Sequence, residues 1–168
     1  MFREMRRKKQ QLTEVECIQI LTENTSGVLA VSGDNGYPYA VPLSYVYDNG
    51  SLYFHCAKSG HKLDAIKTCD KVSFCVVDQD RVVPQEYTTY FRSVIIFGRA
   101  SIVDQKDEIC SAIEQLAIKY SPDDSKDNRD SFIEKEYNAV CMVKIQIEHM
   151  TGKEAIELVN SQNVKQGT

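Results

Sequence analysis

The chain has 168 residues, 42% apolar and 26% charged, with a net charge of −4. That fits one globular domain with a sizeable core, and the acidic balance argues against a dedicated nucleic-acid partner. No apolar run approaches the roughly 18 residues a membrane span needs, and no apolar signal core follows the N-terminal charges, so the expected compartment is the cytoplasm.

The one basic cluster, "REMRRKKQQ" from Arg3 to Gln11, reads as a short arm (residues 1–12), solvated or packed on a partner subunit. Thr13 and Glu16 then stand in capping-box spacing, and Val15, Ile18 and Leu21 recur at helical intervals, which predicts a helix over 13–23. After it, β-rich runs alternate with two turn signals, Asp34-Asn35-Gly36 and Asp48-Asn49-Gly50, the pattern of a three-strand antiparallel meander. Ser59-Gly60 breaks the third strand, and a short helix over 61–68 turns Leu63, Ala65 and Ile66 inward.

Two further strands follow, "KVSFCVVDQ" (71–79) and the long "YTTYFRSVIIFGRASIV" (87–103), with Gly98 marking a bulge or bend. Ile109, Ile113, Leu116 and Tyr120 predict a helix that stops before Pro122. "SPDDSKDNRD" reads as a polar loop, "SFIEKEY" as a helical turn or two, and "AVCMVKIQIEHM" (139–150) as the last strand, with a partly loose tail from Thr151. The fold expected is mainly β: a six- to seven-stranded antiparallel barrel over 13–150 with peripheral helices, since no regular β-α-β alternation is present.

Glycine-rich nucleotide fingerprints are missing, and the three histidines and six cysteines lack zinc-ligand spacing or a C-x-x-C pair; the cysteines read as reduced thiols. The chemistry concentrates in "HCAKSGHKLD" (55–64). A lysine at a helix start sits in an unfavourable field unless an anion is shared there, so Ser59 as a cap, the free N–H groups, His61 and Lys62 make a candidate anion cradle. The alternative is an ordinary exposed cap.

In "YPYAVPLSYVY", Pro38 and Pro42 remove ladder donors from a strong strand. This marks either a protected edge or a stretch, Val41 to Ser44, whose backbone is free for a flat polar-rimmed ligand. His55 alternates with Tyr53 on one strand face, either as a satisfied histidine or as an acid–base group facing a pocket. No nucleophile elbow surrounds Ser93.

Taken together, "DNGYPYAVPLSYVYDNGSLYFHCAKSGHKLDAIKTCDKVSFCVV" and "YFRSVIIFGRASIV" resemble the flavin-binding split barrels related to pyridoxamine-phosphate oxidase, and within them the nitroimidazole-resistance branch. The resemblance runs from the basic arm through the A-x-x-G-x-K pattern at Ala57 to Lys62 and on to Thr151–Lys153. It implies a homodimer with FMN in a cleft at the subunit interface, FAD being the competing flavin. Lys62 would pair with the flavin phosphate, helped by Ser59 and His61. Val41, Pro42, Leu43 and Ser44 would border the ring, Ser93 and Val94 would contact it from the long strand, and His55 would face it as a proton donor. The implied activity is reduction of nitroimidazole-like or other small aromatic substrates. A pyridoxamine-phosphate-oxidase-like enzyme, or a flavin or haem carrier without turnover, are the alternatives, and neither metal, membrane nor nucleic acid enters the expected set of partners.

Overall fold

The computed structural model describes residues 1–137 and 139–166, and its architecture follows from two hairpins that part company. Helix α1 (Glu14–Glu23) begins with the expected capping box, Thr13 and Glu16 satisfying each other's end-groups. Strands β1 (Ser26–Ser32) and β2 (Pro38–Ser44) form one antiparallel hairpin, and β3 (Val46–Asp48) and β4 (Ser51–Cys56) form another. Asn49 and Gly50 both take positive φ (44° and 78°), the backbone a two-residue hairpin turn demands.

Strands β5 (Lys71–Val83), β6 (Thr88–Ile102) and β7 (Cys141–Glu154) complete a seven-stranded sheet ordered β2-β1-β5-β6-β7-β4-β3. The predicted three-strand meander is therefore corrected. Pairing stops at Ser44 and resumes at Val46, and β2 and β3 lie at opposite ends of the strand order. Because Tyr45 alone joins those two ends, the sheet must curl until its edges meet, and this closes the barrel. Tyr45, where the chain changes partners, is completely buried and packs edge-on against Phe74 with ring centroids 5.0 Å apart.

Leu29, Leu52, Phe54, Phe74, Val94, Ile96 and Ile145 fill the barrel, and α1 and α2 (His61–Thr68) add Leu21, Leu63 and Ile66 to the same core. The predicted break at Gly98 is a bulge, where β6 shifts register against β7. A second bulge lies between Val77 and Gln79 on β5. Beside it Arg92 reaches Asp78 (3.7 Å) and the buried Glu154 (3.3 Å).

Outside the barrel, α3 (Lys106–Tyr120) lays Ala112, Ile113 and Leu116 over Val46, Tyr53 and Met142, a second small core. Helix α4 (Lys126–Tyr137) starts inside the stretch expected to be loop; its residues are mostly exposed and polar, which hid its periodicity. β7 also continues past 150, since Thr151 to Glu154 pair with Ile95 to Arg92, and α5 (Ile156–Gln166) follows. The N-terminal arm packs on its own barrel: Leu12 N–H donates to the Gly152 carbonyl, and Phe2 stacks on His149 at 4.6 Å. Among the described residues no helix is long and apolar enough to cross a membrane.

Candidate functional site

Helix α2 opens without a side-chain cap. Its N-cap is Gly60, at φ 137°, and the predicted capping role of Ser59 is corrected: Ser59 is exposed one residue outside the helix. A Cβ on Gly60 would meet nothing within 4 Å, so open space adjoins the first turn. Positive helix-end potential, space beside it and a half-buried Lys62 together meet the requirements of an anion site.

His61 is turned to a different task. Its ring stacks on Tyr39 with centroids 4.2 Å apart, and its Nε2 lies 3.6 Å from the Asp34 carboxylate. The imidazole thus ties the start of α2 to the β1–β2 turn.

The strand pattern divides the remaining predicted residues. β2 pairs with β1 alone along Pro38–Ser44, and Pro38 and Pro42 share one parity, so their missing donors fall on the same side of the strand. Val41 and Leu43 turn toward the barrel core, whereas Pro42 and Ser44 are exposed. Val94 is completely buried, so its side chain belongs to the barrel core and its backbone is the part that could meet a ligand. Ser93 has the opposite parity and lies between Val77 and Lys153 on the outer sheet face.

His55 and Ser44 come together. Val46 pairs with Tyr53, and the same register carried two residues further sets Ser44 opposite His55. Both border a cavity of about 430 Å³ walled by α3 and α4 through Ile113, Leu116, Tyr120, Asn128, Arg129 and Phe132. Tyr120 anchors that wall: its Oη accepts from the Tyr45 N–H at 2.9 Å. Next to it, the Lys119 ammonium lies 4.3 Å over the Tyr45 ring and donates to the Leu21 carbonyl, and burial pulls its pKa down to about 8.

The cavity mixes apolar walls with a few polar groups. Arg129 Nη1 donates to the Asp124 carbonyl at 2.9 Å, while its Nε is buried and, among the described residues, has no hydrogen-bond partner. Sequence reasoning anticipated α3 and a turn or two at 131–137 but missed the first turn of α4, which brings Asn128 and Arg129 to this wall. Asn128 and Phe132 are four apart, as are Leu116 and Tyr120, but a stretch rich in Asp, Ser and Asn reads as solvated loop. A separate depression of about 480 Å³ lies between Phe2, Tyr37 and Phe97 on the outer sheet face.

Comparison with known proteins agrees with the barrel. The family model described as pyridoxamine 5'-phosphate oxidase matches residues 13–154. A candidate 5-nitroimidazole antibiotic resistance protein from Bacteroides thetaiotaomicron has a similar solved structure, 20% identical, with 86% of each chain covered and a TM-score of 0.71. A conserved hypothetical protein from Mycobacterium tuberculosis is 18% identical over 90% of each chain with a TM-score of 0.78. An FAD-binding protein from Mesorhizobium loti is 24% identical, covering 87% of this chain and 97% of its own, with a TM-score of 0.60. A comparison with curated protein sequences found no match.

Proposed function

We propose that this chain, which belongs to the pyridoxamine 5'-phosphate oxidase family, is a flavin-binding oxidoreductase acting on small aromatic compounds of the nitroimidazole kind. The observation that carries this reading is the uncapped α2 N-terminus with Lys62 beside it, a donor set suited to a dianionic phosphate. FMN satisfies that site with its terminal phosphate, and FAD is the competing flavin.

When bound, the flavin supplies the redox chemistry, and the chain's residues bind, orient and protonate. Lys62 and the first-turn N–H groups hold the phosphate; the exposed backbone at Pro42 and Ser44, on an edge paired on one side only, borders the ring. His55, beside the same cavity, holds the proton a nitro oxygen takes up as it is reduced, the imidazole N–H being a positioned donor. Arg129 adds a positive charge to the wall of the same cavity, whose Leu116 and Phe132 walls suit an aromatic body.

The working form is a homodimer. Val28, Val77, Ile95 and Phe97 are 38–57% exposed on adjacent strands β1, β5 and β6, an apolar sheet face that a second copy would cover. The first experiment is the absorption spectrum of the freshly purified protein, then denaturation and chromatography of any released chromophore. Released FMN supports the reading and released FAD changes the cofactor. A colourless protein that also fails to bind either added flavin rejects it.

A further inference from the structure

Six cysteines are present and all are free thiols in the structure. Cys17 sits in α1, Cys69 just after α2, Cys75 in β5 and Cys110 in α3, whereas the other two face each other: Cys56, the last residue of β4, is the register partner of Cys141, the first residue of β7. Residues directly opposed in an antiparallel pair have Cα atoms about 4.5 or 5.5 Å apart, and a disulfide accepts roughly 4.4–6.8 Å. The Cα spacing of either kind of ladder pair therefore suits a disulfide, and the Cβ atoms, about 4.5–5.5 Å apart in such a pair, need only a small approach to the roughly 3.5–4.5 Å that the bond requires.

We propose that Cys56 and Cys141 are a redox-active dithiol that closes to a reversible cross-strand disulfide under peroxide. Three observations support it. The two side chains project from directly opposed positions at the end of one ladder, and both residues are only half-buried, so a small oxidant can arrive. Strand ends are also the least constrained part of a ladder, which leaves room for the two side chains to adjust. Burial and the neighbouring Cys141 push the Cys56 thiol up, and the Lys62 charge draws it back.

The chemistry balances with hydrogen peroxide as the oxidant. One thiolate attacks a peroxide oxygen, the O–O bond breaks, and the expelled hydroxide leaves as water once protonated. The sulfenic acid so formed is attacked at sulfur by the second thiolate, forming the S–S bond and expelling a second hydroxide, which also leaves as water. Two thiols lose two electrons and two protons, and one peroxide becomes two waters. The new bond ties the chain just before the Ala57–Gly60 segment to β7, one residue beyond His55.

The test uses the intact wild-type protein. Reduced protein is exposed to hydrogen peroxide, remaining thiols are blocked with N-ethylmaleimide, and peptides are mapped by mass spectrometry without reduction. The expected result is a linked pair of peptides carrying Cys56 and Cys141, with two of the six thiols lost, and both recovered after dithiothreitol. C56S and C141S should each abolish the linked peptide. Recovery of Cys56 and Cys141 as blocked thiols, their pairing with other cysteines, or their over-oxidation without a linked peptide would overturn the proposal.

Discussion

Tyr120 holds the backbone of Tyr45: its hydroxyl accepts from the Tyr45 N–H at 2.9 Å and faces the Tyr45 carbonyl at 2.9 Å, with the Thr25 carbonyl also in reach. One phenol at the end of α3 thus accepts from the N–H of the residue that joins β2 to β3 and has its single proton to share between the Tyr45 and Thr25 carbonyls. It also fixes the helical wall of the His55 cavity to the strand junction beneath it.

Removing that hydroxyl should therefore cost more than an ordinary surface bond. Tyr120→Phe leaves the Tyr45 N–H without this partner at a buried site, and an unmade buried hydrogen bond costs about 1–3 kcal/mol. The urea midpoint should fall accordingly with an unchanged m-value. An unshifted midpoint would mean that α3 is held by its apolar face alone.

The two residues proposed to act on the flavin and the nitro group should separate binding from turnover. Lys62→Ala should weaken FMN affinity by about 1.5–3 kcal/mol, roughly ten- to a hundredfold, as expected for a charge-assisted contact. His55→Gln should bind FMN as before while slowing nitro reduction by about a hundredfold or more. Fluorescence titration with FMN and single-turnover reduction of a nitroimidazole read the two effects. Equal FMN affinity in Lys62→Ala would move the phosphate elsewhere, and equal turnover in His55→Gln would remove the imidazole from proton transfer.

Gly98 should tolerate no side chain. A Cβ there would collide with the Gln146 carbonyl oxygen, and because that atom is backbone of the neighbouring strand it cannot swing away. Gly98→Ala should destabilise by about 1–3 kcal/mol or more, through displacement of β7 at the bulge. Thermal unfolding compared with wild type measures it; a wild-type midpoint would show that β6 can shift freely there.

What the sequence made legible was local. The Thr13 cap, the Asn49-Gly50 turn, the 61–68 helix and the Gly98 bulge each depend on a few adjacent residues whose chemistry admits one backbone solution. What stayed hidden was set by partners far along the chain. Tyr45 gives no local sign that pairing stops there, so two hairpins read as one meander. Likewise Ser59 looks like a cap because its type favours one, yet the chain turns into the helix one residue later at Gly60. Ser44 and His55 were both legible as candidates, but that they share a cavity with Arg129 follows only from the docking of α3 and α4.

Two carboxylates should give opposite pH signatures. Hydrogen bonds from Lys144 (2.9 Å) and Tyr53 (2.8 Å) hold Glu108 below the ordinary carboxylate value of 4.5. Folding therefore favours its ionised form: the stabilisation is present above about 4.5 and is lost as pH falls through the depressed value. Glu108→Gln should flatten stability against pH on that acid side. Glu154 is raised instead, because burial outweighs the pull of Arg92. Folding favours its protonated form, so its contribution is full below 4.5 and declines as pH rises through the raised value. Glu154→Gln, which keeps an acceptor for Arg92, should remove that decline. Urea midpoints measured from pH 3 to 8 on both variants decide between these signs, and parallel curves for wild type and Glu154→Gln would mean that Arg92 neutralises the burial cost in full.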